Sequence, residues 1–210
     1  MKKLLIITML VAVASMFTAC ENKDNQMAQD LKGTWNGSTY FGEDEYPADY
    51  VFFPDDESNT GLFLDIEYLS FTEMIEDDAY EIPYMAYAGG TYTVKDGKLF
   101  LEYNPETAWV WFDEEDVMEY VMAFLEYDRV YGTGEWQEED PQEIAQYYTD
   151  TQTESIGPNW EEVITDFNTG MSSGYGDLKV SQDQFSYSTS DLGVLTFTRA
   201  DYTLFDEYPF

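Results

Sequence analysis

From residue 33 onward the chain runs in short apolar stretches separated by acidic or glycine-containing turns, the pattern of strands. Gly33 to Phe41, "GTWNGSTYF", is rich in threonine and aromatic residues. "DYVFF" at 49–53 ends at Pro54 and a turn-like "DDESN". "TGLFLDIEYL" at 60–69 alternates, with Leu62, Leu64, Ile66 and Tyr68 on one face and Asp65 and Glu67 on the other. It reads as a half-buried strand whose acids face water. In "TYTVKDGKLFLEY" at 91–103, two strand-like runs flank Asp96-Gly97, the pair that favours a two-residue type I′ hairpin. "AWVWF" at 108–112 is apolar on both faces, as in a strand covered on both sides.

The period then lengthens. Asp113 is placed as an N-cap, and Val117, Met118, Val121, Met122, Phe124 and Leu125 form a stripe at helical spacing. Asp140-Pro141-Gln142-Glu143 opens a short helix to about Tyr148. Asn159-Trp160-Glu161-Glu162 opens another, with a stripe of Trp160, Val163, Ile164 and Phe167 and a stop at Gly170. Strands resume at 177–188 and 193–199. Roughly eight strands joined mostly by short turns predict a mainly β, antiparallel up-and-down barrel, closed to remove its edges. It carries a helical insertion at 113–170 and a C-terminal tail at 201–210.

The first thirty residues follow another logic. Lys2 and Lys3 precede an apolar run from Leu4 to Phe17, broken only by Thr8 and Ser15. That run is shorter than the about 20 residues a membrane span needs, and fits a secretory signal. It ends at Cys20, the only cysteine. Phe17-Thr18-Ala19-Cys20 resembles the lipobox of bacterial lipoproteins, in which the cysteine sulfur receives a diacylglycerol and becomes the mature N-terminus. The resemblance implies a signal peptide at 1–19, lipid attachment at Cys20 and the membrane as a partner. Residues 20–30 lack apolar periodicity and read as a lipidated, solvated tether. Glu21, Lys23 and Asp24 resemble the export signal of lipoproteins in some Gram-negative anaerobes, which implies an outer-membrane protein facing outward.

Composition narrows the function. A net charge of −34 repels phosphate backbones, so nucleic acid is excluded as a partner. An aromatic content of 18 % separates the chain from acidic disordered sequences and supplies a core. Without histidine, and with its cysteine assigned to lipid, the chain has no Ser-His-Asp or Cys-His catalysis and no His/Cys zinc site. Gly170-Met171-Ser172-Ser173-Gly174 matches a nucleophile elbow in letters but has no histidine to activate Ser172, and reads as a loop. Asp55-Asp56-Glu57, Glu76-Asp77-Asp78 and Glu138-Glu139-Asp140 read as solvated faces or helix starts. Asp55, Glu57 and Asn59 approach a calcium loop, but Thr60 stands where glycine belongs. No catalytic residue, cofactor or metal ligand is nominated.

Gly33-Thr34-Trp35 at the first strand and Arg199 at the end of the last resemble the calycin signature of lipocalins and their relatives. There the tryptophan closes one barrel end and the arginine stacks across its ring, a favourable cation–π pair. "LKGTWNGS", "FFPDDESNTGLFLD", "YTVKDGKLFLEY" and "LTFTR" are similar to lipocalin-like lipoproteins of Gram-negative anaerobes, over 31–103 and 177–200. The resemblance implies a lipocalin-like barrel domain at 31–200, with a small apolar or amphipathic ligand inside. The other function compatible with the residues is a surface interaction module. Its barrel would be packed solid, and exposed aromatics such as Tyr84, Tyr87, Tyr147 or Tyr148 would hold a glycan or an envelope protein.

Overall fold

In the computed structural model, which describes residues 23–41, 44–132, 134, 136, 139–170, 174–189 and 193–204, eight strands form one antiparallel sheet. They are β1 (Gly33–Phe41), β2 (Asp44–Pro54), β3 (Thr60–Ile75), β4 (Asp78–Lys95), β5 (Lys98–Phe112), β6 (Gly176–Val180), β7 (Gln184–Thr189) and β8 (Gly193–Arg199). Three helices accompany them: α1 (residues 23–30), α2 (Glu114–Tyr131) and α3 (Pro141–Gly170). Among the described residues no helix is long and apolar enough to cross a membrane.

The strand order is β5-β4-β3-β2-β1-β8-β7-β6, so the first strand pairs with the last and the sheet's edges are β5 and β6. The sheet curls until these edges touch. Leu99 and Tyr175 exchange both backbone hydrogen bonds, and Leu178 N–H donates to the Gly97 carbonyl. Beyond this bridge the seam is open, so the fold is a curled, barrel-like sheet rather than the continuous closure expected. The chain leaves the sheet at this seam to build α2 and α3, and α3 lies along β5. Asn168 of α3 takes the place of a strand neighbour. Its carboxamide accepts from Tyr103 N–H at 2.8 Å and donates to the Tyr103 carbonyl at 2.7 Å.

Several elements differ from the sequence pattern. Residues 78–90, left unassigned, form the first half of β4, and "AWVWF" continues β5 past a bulge near Tyr87. Residues 177–188, read as one strand, fold into β6 and β7 because Ser181 turns back on Gln184 through its N–H and hydroxyl. The helices expected at 141–148 and from Asn159 are one helix of 30 residues with Pro158 inside. Proline removes one backbone donor. The carbonyl it leaves without that donor is Glu154's; burial of Trp160 and Ile164 holds the second half in line, and Asn159 Nδ2 donates to the next carbonyl, that of Ser155.

The stretch read as a tether also differs. It is helical from 23 to 30, with Ala28 fully buried. The Asp24 carboxylate accepts the N–H groups of Asp96 and Gly97 in the β4–β5 turn, where both residues have the positive φ of the expected hairpin, 54° and 70°. Gln29 donates to the carbonyls of Asp55 and Ser58, and Asn25 to that of Glu57. Trp35 Nε1 donates to the Leu31 carbonyl and Tyr92 hydroxyl to that of Ala28. Thus α1 plugs one end of the sheet. Behind it the interior is solid: Trp35, Phe52, Phe63, Tyr92, Phe185 and Phe197 are all buried. Phe185 stacks on Phe197 at 4.8 Å, and Phe52 meets Tyr92 edge-on at 5.1 Å.

Candidate functional site

On β3 the face carrying Phe63 turns inward, and strand alternation puts Asp65, Glu67 and Leu69 on that same face. The expectation that Asp65 and Glu67 face water is therefore reversed. The opposite face, with Leu64 and Ile66, is buried too, against Val51 under Phe53, Tyr68, Met85, Tyr87 and Leu204 of the tail. Tyr68 and Tyr202 hydroxyls donate to the buried Asp49 carboxylate on that outer side. Both faces of β3 are covered, so local hydrophobicity gave the wrong orientation. The signal that pointed correctly was Phe63, Leu69 and Phe71, which share parity with the acids.

The acids are 1 % and 2 % exposed. Tyr103 hydroxyl donates to Asp65 Oδ2 at 2.7 Å and lies 3.5 Å from the Tyr50 hydroxyl. Asp65 Oδ1 makes no well-formed hydrogen bond, and only weaker pulls from the Tyr50 hydroxyl and the Ile66 N–H supplement Tyr103 at this carboxylate. Thr39 hydroxyl donates to Glu67. Burial pushes the Asp65 carboxyl up to about 7, against the opposing pull of Tyr103 and Tyr50. Burial and then the neighbouring Asp65 charge hold Glu67 well above the usual range. Tyr50, Tyr103 and Tyr187, all facing this cluster, are raised by burial first. Among the described residues no lysine or arginine pairs with either acid; on α2, Arg129 pairs with Glu126.

Strand register defines the surroundings of Glu67. Ala48 on β2 and Ala86 on β4 are its direct neighbours, and Gly37 lies beyond Ala48. One step toward the unplugged end the row changes to Tyr46, Leu69 and Tyr84. These three and Ala86 line a pocket of about 240 Å³, roofed by Ile156, Asn159, Trp160 and Val163 of α3. Trp160 is fixed there by its indole N–H, which donates to the Tyr87 carbonyl at 2.8 Å, freed where β4 and β5 bulge apart. A second cleft of about 690 Å³ lies outside, between β5, α2 and α3. Trp109 and Trp111, 50 % and 36 % exposed, face Gln146, Asp150 and Glu154 across it.

The residues singled out from the sequence are dispersed. Cys20 and Ser172 lie outside the described residues. Trp35 and Arg199 are register partners, with the guanidinium carbon 4.0 Å from the ring centre. A Cβ on Gly33 would come within 2.9 Å of Arg199 Nη1, and the φ of Gly33 is 113°, so only glycine suits the site. Asp55, Glu57 and Asn59 form the β2–β3 turn that grips α1 and β4. Tyr84 lines the mouth pocket, Tyr87 stacks on Trp109, Tyr148 donates to Glu73, and Tyr147 is exposed. Ala48, Ala86 and Trp160 were not nominated, since small residues and one helical tryptophan carry no chemistry until register assembles them.

No family model matches the chain, and neither a curated protein nor a solved structure does.

Proposed function

We propose that this chain is a lipid-anchored outer-membrane binding protein, without catalytic activity, whose lipocalin-like barrel takes a small amphipathic ligand at its mouth. The observation that carries this function is the apolar pocket of Tyr46, Leu69, Tyr84 and Ala86 beneath α3, one row from buried carboxyl groups. Apolar walls with a few convergent polar groups of perturbed pKa are the usual make-up of a small-molecule site. The aromatic packing behind α1 supports the mouth, rather than the interior, as the ligand's place. The Trp35–Arg199 stack and the β1–β8 pairing support the lipocalin-like assignment, and Phe17 to Cys20 support the anchor. Native mass spectrometry of the full chain purified from membranes tests it. A one-to-one small-molecule adduct is expected, and Ala86→Leu should remove it by filling the pocket. An adduct-free wild type, or an adduct kept by that variant, would reject the function.

Trp109 and Trp111 favour a second possibility, a glycan stacked in the outer cleft beside the amides and acids of α3. Oligosaccharide retention abolished by Trp109→Ala would favour it over the mouth.

A further inference from the structure

We infer that the end of the sheet closed by α1 is a docking surface for the headgroup phosphates of a bilayer, met by Lys23, Lys32, Lys95, Lys98 and Lys179. This docking deepens the anchoring proposed at Cys20 and rests on it. Beyond Cys20 the chain holds seven lysines and arginines, and the fold gathers six of them at this one end. Lys23 lies on α1, whose next residue, Asp24, accepts the N–H groups of Asp96 and Gly97 in the turn between Lys95 and Lys98. Leu178 donates to the Gly97 carbonyl, which sets Lys179 beside the same turn. Arg199 donates to the carbonyls of Asp30, Lys32 and Gln182. All five lysines are exposed. The seventh cation, Arg129, lies on α2 and pairs with Glu126.

Acids share this end, so reach decides which charge a phosphate meets first. Besides Glu57, those nearest the lysines are aspartates: Asp30, Asp56, Asp96, Asp177 and Asp183. An aspartate carboxylate stays close to the backbone, whereas a lysine ammonium ends a four-carbon stem and extends past it. Asp24 is withdrawn further, at 7 % exposure. Elsewhere α2 and α3 carry rows of acids with Arg129 as their one basic residue, so an anionic bilayer repels the other approaches. A hollow of about 390 Å³ opens among the cations, lined by Gln29, Asp30, Lys32, Ser181, Gln182 and Arg199. It has room for one headgroup, with Lys32 and the hydroxyl of Ser181 as donors to a phosphate. Cys20 lies three residues before Lys23, so a lipid there brings this end to the bilayer first.

The test uses the full acylated chain in nanodiscs of phosphatidylcholine and phosphatidylglycerol, with a nitroxide on some of the headgroups. A fluorophore on Asp56→Cys, in the β2–β3 turn, should be quenched at least about threefold more than one on Asp77→Cys, in the β3–β4 turn at the opposite end. Lys95→Gln, Lys98→Gln and Lys179→Gln together should remove most of that difference, and so should salt at about 0.5 M. The three side chains are exposed, so the variant's melting temperature should match wild type. Equal quenching at the two ends, or a difference that the triple variant and salt leave unchanged, would overturn the lysine contact while the anchor stands. Wild type that reacts with a maleimide at Cys20 after purification from membranes would overturn the anchor, and the docking with it.

Discussion

The guanidinium carbon of Arg199 lies 4.0 Å from the centre of the Trp35 ring, across the pairing that joins the first strand to the last. The same side chain donates to the carbonyls of Lys32, Asp30 and Gln182, so one residue ties β8 to the end of α1 and to the β6–β7 turn. Arg199→Ala should lower unfolding free energy by about 1–3 kcal/mol, combining the lost cation–π contact and the freed carbonyls. Denaturant titration measures it; an unchanged midpoint and slope would show the stack to be energetically idle.

Gly37 lies against the Phe197 ring, and a Cβ there would fall 2.3 Å from ring carbon Cδ1. That ring cannot retreat, because it is buried and stacked on Phe185. Gly37→Ala is expected to cost about 1–3 kcal/mol by overpacking. A melting temperature equal to wild type would contradict the packing described.

Asp65 gives stability a pH dependence of definite sign. Its folded value of about 7 exceeds the roughly 3.9 of an unfolded aspartate. Between these values the native state holds a proton that the unfolded state has released, so stability declines as pH rises, by about 1.4 kcal/mol per unit for one proton. Glu67, raised in the same direction, prolongs the decline. The melting temperature should be higher near pH 5 than near pH 7.5, and Asp65→Asn should flatten most of the difference. A profile that is level in wild type, or equally steep in the variant, would refute the burial effect.

Asn168 satisfies both backbone groups of Tyr103 at the open seam. Asn168→Leu should leave a partly buried donor and acceptor unpaired, at about 1–3 kcal/mol. Hydrogen exchange at the Tyr103 amide should accelerate well beyond that at Val94, deep in β4. Equal protection in both proteins would mean that another group completes the seam.

For the anchor, Cys20→Ala should abolish incorporation of labelled fatty acid into the protein. Continued labelling of that variant would remove the lipid from Cys20.

Much of the sheet is legible in the sequence because its signals are local. Gly33 to Phe41 is rich in strand formers, and Asp96-Gly97 dictates its own turn. The pairing of Trp35 with Arg199 is suggested by the calycin resemblance, which places a late arginine over the first-strand tryptophan. The orientation of β3 was not legible, since both of its faces are covered and the hydroxyl that serves Asp65 comes from Tyr103, thirty-eight positions away. Nor was the continuity of α3 through Pro158, where Trp160 and Ile164 packing against the sheet overrides a local break signal. The helix at 23–30 has little apolar pattern of its own; turns far along the chain hold it.

That plug has a consequence for posture. Only Glu21 and Asn22 separate Cys20 from its first turn, a leash no longer than about 10 Å. With acyl chains on the cysteine, the corked base would rest against the lipid headgroups like a stopper standing on a table. The vestibule under Trp160 would then look away from the bilayer, and cargo would arrive from the surrounding fluid rather than from the membrane beneath.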